Sequence, residues 1–277
     1  MTRTELLTTL RTIGVQPSKK LGQNFLIDAN MLSAMERDAE LRAGETILEI
    51  GPGTGVLTER LLAAGCALTA VEYDHRLAAY LRTRFADTAD FRLIEGDACD
   101  VDFAAVMGDR PYRCVANLPY AVSSILIARL SGLPNPPREM FVLLQKEMAD
   151  RLAAAPGTKQ YGALSIQVQT LYDAKVLRKL PPNVFFPPPE VESSFLRLRW
   201  LDQPPRLAVP RADFVALVRH VFTQRRKKLT STLGKRFGRD RVCRILAAAG
   251  VNPEARPEAL SPPEFVTCVN RLLATDE

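Results

Sequence analysis

Apolar and polar residues follow two rhythms along this chain, and the change of rhythm divides it. Leu6, Leu7 and Leu10 share a helical stripe, with Thr2 and Glu5 at capping-box spacing ahead of it, so a short N-terminal helix is expected. Pro17 to Asp28 carries Pro, Gly and Asn and reads as a loop, with basic Lys19 and Lys20 in it. Residues 29–41 read as a helix. From residue 46 short apolar runs and helical stretches take turns: strands at 46–50, 67–71, 91–95, 112–116 and 139–144, helices at 56–64, 74–86, 121–131 and 146–154. That alternation predicts a parallel sheet covered on both faces. Residues 164–171, 174–180 and 194–200 then read as strands with no helix between them, antiparallel additions at one edge. Pro181 to Pro189 holds five prolines and excludes a helix or a central strand. Residues 201–210 read as a linker. Helical patterning returns at 211–222, 225–236, 239–249 and 262–273. The expected division is an α/β domain over 1–203, with an N-terminal helical extension, and a small all-α domain over 204–277.

Composition narrows the class. The chain has 277 residues, 47% of them hydrophobic, enough for one large core and a smaller one. Its mean hydropathy is −0.05. No apolar run approaches the roughly 20 residues that span a bilayer. Arg3, Glu5 and Arg11 interrupt the N-terminus, so it lacks a signal-peptide apolar region. A cytoplasmic protein without a membrane partner is expected. Cys66, Cys99, Cys114, Cys243 and Cys268 are scattered, which suits reduced thiols rather than a disulfide framework or a zinc site. With only His75 and His220 besides, no metal is expected. Coiled-coil heptads are absent and a monomer is expected. The net charge of +6 lies wholly in the last quarter, where residues 201–277 hold 14 basic and 8 acidic residues against 23 of each over 1–200. Such asymmetry suits a polyanionic partner.

Candidate chemistry sits at the predicted strand ends. The first strand runs into Glu49-Ile50-Gly51-Pro52-Gly53-Thr54-Gly55, where glycines allow a tight turn and close approach of a ligand to the backbone. Glu72 ends the second strand, about 20 residues on, and an acid there can accept from both hydroxyls of a ribose. Asp97 follows the third strand and can bind an adenine amino group. The turn reads GxGxG rather than the GxGxxG usual for a nicotinamide cofactor, and the set of three on successive strand ends resembles the class I methyltransferases, which implies S-adenosylmethionine. The fourth strand ends in Asn117-Leu118-Pro119-Tyr120. The Asn117 side-chain oxygen and a backbone carbonyl near Leu118 or Pro119 can accept the hydrogens of an exocyclic amine, aiming its lone pair. Pro119 fixes the turn, and Tyr120 offers a flat face for an extruded base. Catalysis by orientation and charge matching needs no strong base.

Nine segments in order, KKLGQNFLID, LEIGPGTGVLT, VEYD, EGDACDVD, NLPYAVSS, QKEMADRL, YGALSIQVQ, VFFPPPEVESSF and FTQRRKKL, resemble the ribosomal RNA adenine N6,N6-dimethyltransferases, in particular the bacterial small-subunit dimethyladenosine transferases. The resemblance spans about residues 16–270. It implies a class I methyltransferase fold, Rossmann-like, with a seven-stranded mostly parallel sheet and a small C-terminal helical RNA-binding domain. It implies that Asn24 and Leu26 close over the donor, that Gly51 and Gly53 lie along it, with Gly51 touching its methionine part, and that Glu72 holds its ribose and Asp97 its adenine. Asn117 joins donor and target base, and Phe185 encloses the base opposite Tyr120. The implied activity is dimethylation of two adjacent adenosines near the 3′ end of 16S ribosomal RNA, in an immature 30S particle during late subunit assembly. Glu190 and Ala121 depart from the family pattern, and Glu190 removes one expected phosphate contact. Arg225, Arg226, Lys227 and Lys228, read as the start of a helix, are the candidate RNA contacts, positioning RNA without reading its sequence. The competing readings are a large-subunit adenine N6-methyltransferase of the macrolide-resistance type, a non-catalytic ribosome-assembly factor and a nicotinamide-dependent dehydrogenase.

Overall fold

The computed structural model describes residues 1–18 and 22–274; Lys19 and Lys20 lie outside the described residues. Two compact units divide the chain, Met1–Ala149 with Lys175–Arg199, and Asp150–Ala174 with Trp200–Glu277.

In the first unit, α1 (Arg3–Thr12) starts at the expected capping box, in which Thr2 N–H donates to the Glu5 carboxylate and Glu5 N–H to the Thr2 hydroxyl. A two-residue strand, β1 (Phe25–Leu26), precedes α2 (Ala29–Ala39). The alternation then runs β2 (Thr46–Ile50), α3 (Val56–Ala63), β3 (Ala67–Glu72), α4 (His75–Arg84), β4 (Phe91–Glu95), α5 (Phe103–Met107), β5 (Arg113–Asn117), α6 (Ser123–Ser131) and β6 (Glu139–Gln145). After α7 (Lys146–Leu152) and α8 (Ala163–Gln169) come β7 (Tyr172–Leu180), β8 (Phe185–Phe186) and β9 (Ser193–Trp200). The main sheet has seven strands in the order β4-β3-β2-β5-β6-β9-β7. Strands β2 to β6 pair in parallel, and β9 runs antiparallel to β6 with Gln145 opposite Ser193. Central β2, β5 and β6 are buried along nearly their whole length, as both-face cover requires, whereas edge strand β4 is largely open. In the proline-rich stretch, β8 pairs antiparallel with β1, Phe186 opposite Phe25 and Phe185 opposite Leu26.

The second unit is helical. After the linker, α9 (Arg211–Thr223), α10 (Leu229–Phe237), α11 (Arg239–Ala248) and α12 (Pro262–Leu273) surround a core of Phe214, Val218, Leu229, Val242, Phe265 and Val269. Two expectations change here. Residues 164–171 are not a strand but α8. Their period-2 pattern arises because Ser165, Gln167 and Thr170 are buried beside Ile166 and Val168. The Ser165 hydroxyl donates to the Arg151 carbonyl at 2.5 Å, and Gln169 Nε2 donates to the carbonyls of Leu152 and Ala154 at 2.7 and 2.9 Å, so the polar positions are satisfied indoors. Ile166 belongs to the helical core, which is why residues 150–174 group with the helices rather than with the sheet, as a division at 203/204 expects. Arg225 to Lys228 do not begin a helix either; they form the turn between α9 and α10.

Candidate active site

Strand order runs outward in opposite directions from β2 and β5, which leaves a crevice beyond their carboxyl ends. A cavity of about 260 Å³ occupies it. Asn24, Leu26, Gly51, Gly53, Glu72, Asp97 and the whole of Asn117 to Tyr120 line it. Two glycines shape its floor. Gly51 and Gly53 have φ of +69° and +60°; a Cβ on the first would meet Pro119 ring carbons at 3.3 Å, and on the second the Phe25 ring at 3.0 Å. The backbone conformation strains any side chain at either position, and a Cβ there would press on those rings.

The acidic groups are held by backbone. Glu72, at the end of β3, is 5% exposed; its Oε2 accepts from Gly53 N–H at 3.0 Å and its Oε1 from Asp74 N–H at 2.9 Å. Each oxygen keeps a second lone pair, so the carboxylate can accept from two neighbouring hydroxyls at once. Burial pushes its pKa up to about 7, against the pull of those N–H donors. Glu49 on β2 is fully buried, accepts from the Thr58 hydroxyl at 2.7 Å, and is pushed by burial up to about 8. Asp97 accepts from Cys99 N–H through Oδ1 at 2.7 Å. Positive-φ glycines and two carboxylates lining one cavity fit the adenosine and amino-acid ends of S-adenosylmethionine.

Asn117, at the end of β5, donates through Nδ2 to the Asn24 carbonyl at 2.9 Å. A carbonyl can only accept, so this bond orients the amide with its nitrogen toward the 22–26 loop and its oxygen away from it. A Cβ on Gly22 would meet Tyr120 N at 3.2 Å, so the same loop lies against the Tyr120 backbone. Of the two candidate carbonyls, that of Pro119 accepts from Val122 N–H at 3.2 Å within the turn, while that of Leu118 accepts nothing among the described residues. The Tyr120 hydroxyl is 2.6 Å from that of buried Ser193, the first residue of β9. Burial raises the Tyr120 hydroxyl above its ordinary pKa.

Phe185 is not brought to this cavity. It is 2% exposed and packs with Leu26, Leu180 and Phe195, because the β1–β8 ladder turns its side chain into the core. The expected basic run is also divided. Arg225 donates to the carbonyls of Lys159 and Thr158 at 2.7 and 2.9 Å, and Lys228 pairs with Glu254; Arg226 and Lys227 are exposed. Residues that the sequence reading missed are Glu49, Thr58, Ser193 and Tyr73. Tyr73 lines the cavity at 58% exposed, and its one signal was an aromatic side chain next to the strand-ending acid. Among the described residues no helix is long and apolar enough to cross a membrane, and no group of three or more His, Cys, Asp or Glu could hold a metal ion.

Comparison with known proteins agrees with this geometry. The family model described as ribosomal RNA adenine dimethylase matches residues 15–273. Ribosomal RNA small subunit methyltransferase A of Hahella chejuensis is 39% identical over 255 residues, 92% of each chain. Its counterpart in a Synechococcus strain is 40% identical over 267 residues, 93% of each chain. Among solved structures, the 23S rRNA methyltransferase ErmE superposes with a TM-score of 0.71 at 25% identity, covering 90% of this chain and 99% of that one. A dimethyladenosine transferase from Plasmodium falciparum gives 0.73 at 22% identity over 88% and 95%, a likeness of fold. With nearly its whole length matched and its strand-end residues gathered on one cavity, the chain belongs to the ribosomal RNA adenine dimethylase family.

Proposed function

We propose that this protein methylates the exocyclic N6 of two adjacent adenosines near the 3′ end of small-subunit ribosomal RNA, in an immature subunit, and gives N6,N6-dimethyladenosine. The observation that carries the reading is the Asn117 amide, oriented by the Asn24 carbonyl on the cavity that Glu72 and Asp97 also line.

S-adenosylmethionine, the methyl donor, supplies an electrophilic methyl group on a positive sulfur. Glu72 would hold the ribose diol and Asp97 the adenine amine, with Gly51 and Gly53 leaving room for the remainder. In the first transfer Asn117 Oδ1 and the Leu118 carbonyl accept the two hydrogens of N6; in the second, one of them accepts the hydrogen that remains. Held so, the nitrogen is drawn out of conjugation with the ring and its lone pair is aimed along one direction. Two oriented acceptors also stabilise positive charge as it develops on nitrogen. The product cation is acidic enough to lose its proton to water, so Asn117 aligns and polarises rather than abstracting a proton. Tyr120 is the stacking face, held by Ser193; Phe185, being in the core, supports the loop that contains Leu26 instead. The exposed Arg226 and Lys227 are the candidate phosphate contacts of the helical unit.

The test is transfer of labelled methyl groups to immature small subunits and, separately, to protein-free large-subunit RNA, followed by nucleoside analysis. Dimethyladenosine at adjacent positions in the small-subunit RNA is expected. Label only in the large-subunit RNA would replace this substrate with the one in ErmE's description. A pure assembly factor would transfer no label at all.

A further inference from the structure

Between β4 and α5 the chain makes a tight turn whose donors converge on Asp97. Asp100 N–H and Val101 N–H donate to the Asp97 carbonyl at 2.8 and 3.1 Å, and Cys99 N–H to its carboxylate. On the other side, the carbonyls of Ala98, Cys99 and Val101 meet one side chain. Arg129 Nη1 donates to Ala98 at 2.9 Å and to Cys99, its Nη2 donates to Val101 at 3.1 Å, and its guanidinium carbon lies 5.8 Å from the centre of the Phe103 ring.

Arg129 sits on α6, the helix that follows directly from the Asn117–Tyr120 loop, and Leu126 of that helix lines the cavity together with Asp97 and Ala98. We infer that Arg129 is a positioning residue for methyl-donor binding: it fastens the Asp97 turn to the helix that carries the acceptor loop. A planar fork of N–H groups is what three separated carbonyls require, and a lysine ammonium cannot span them. Without the fork the turn keeps its inward bonds but loses its anchor, and the Asp97 carboxylate swings off the donor's adenine. The inference rests on the reading of Asp97 as the adenine acceptor.

The experiment uses the full chain, with S-adenosylmethionine and S-adenosylhomocysteine affinities measured by calorimetry, and with kcat and donor KM measured on small subunits. Arg129→Ala is expected to weaken donor affinity and raise donor KM by about ten- to a hundredfold, the scale of one lost hydrogen bond to a charged group, with kcat at saturating donor within about twofold. Arg129→Lys should recover little of this. In an Asp97→Ala background, Arg129→Ala should cost nothing more. Should the alanine variant not fold, Arg129→Gln carries the same test. Unchanged donor affinity in Arg129→Ala, or a loss that adds in full to that of Asp97→Ala, overturns the assignment of Arg129 alone. Unchanged affinity in Asp97→Ala overturns the reading of Asp97, and the inference with it.

Discussion

The two units use charge in opposite ways. In the sheet unit, acids sit at strand ends and are held by backbone donors: buried Glu72 by Gly53 and Asp74, and exposed Asp97, after edge strand β4, by Cys99. In the helical unit, cations follow one another through a turn and go separate ways. Arg225 bonds to two carbonyls and pairs with Glu258 at 3.7 Å, Lys228 pairs with Glu254, and among the described residues Arg226 and Lys227 pair with neither carbonyl nor acid through their side chains. A polar residue that ends a buried strand inherits a position from the sheet's register and must satisfy its bonds there. A run of like charges in a turn inherits only proximity, because each side chain can find its own partner. Residue order therefore reports a side chain's place well at strand tips and poorly in charged turns.

The largest expected effect tests the strand tips. Asn117→Ala removes the bond to Asn24 and, on the proposed mechanism, one of the two acceptors for N6. Loss of one preorganised polar contact to a transition state costs about 10²–10³ in rate, so kcat should fall by that factor while donor affinity changes less than about tenfold. Single-turnover methylation with donor affinity measured in parallel checks this. Retained kcat would mean that a strand-tip position is no surer a guide than a charged turn.

A smaller effect follows from burial of the acids, and its sign differs between binding and stability. Glu72 titrates near 7 and must be ionised to accept from two hydroxyls, so donor affinity should rise with pH between about 6 and 8 and fall by up to tenfold per unit below 7. Glu72→Gln should flatten that profile in calorimetry. Stability runs the other way. Glu49 and Glu72 hold their protons to about 8 and 7 in the folded chain but release them near 4.5 when unfolded. The folded state binds more protons between those values, so the donor-free protein loses stability as pH rises from about 4.5 to 8. Thermal unfolding at pH 5.5 and 8.5 should show this, and Glu49→Gln should remove the larger part.

Much of this was legible in the sequence because it depends on local rhythm. The parallel strands fall within a residue or so of their expected ends, and the glycine turn, Glu72, Asp97 and Asn117 converge because the sheet aligns their strand ends. The misread α8 shows the limit: a helix buried around most of its circumference has no polar stripe, and Leu164, Ile166 and Val168 then imitate a strand. Supports of the site were hidden for a related reason. Ser193 reaches Tyr120 across 73 residues, and Asn117 reaches Asn24 across 93. Arg129 and Asn117 are both read by backbone carbonyls, which every residue possesses and which leave no mark in the sequence. Phe185 was placed by its motif, whereas the ladder with Leu26 decides where its ring points.

The charged turn supplies the two smallest effects, and their contrast sharpens the comparison. Arg225→Ala loses two bonds from a charged donor to carbonyls and the pairing with Glu258, worth about 2 kcal/mol together after solvent competition, and should lower the melting temperature by a few degrees. Arg226→Ala with Lys227→Ala removes exposed side chains and should leave melting unchanged. If both meet phosphates, the slope of log affinity for RNA against log salt should become shallower by about 1.4 to 1.8, the counterions of two contacts. Arg225→Ala, its charge already turned toward Thr158 and Lys159, should shift that slope less than either neighbour. An Arg225 variant that melts normally but accounts for most of the slope would restore the reading of the whole run as one RNA surface.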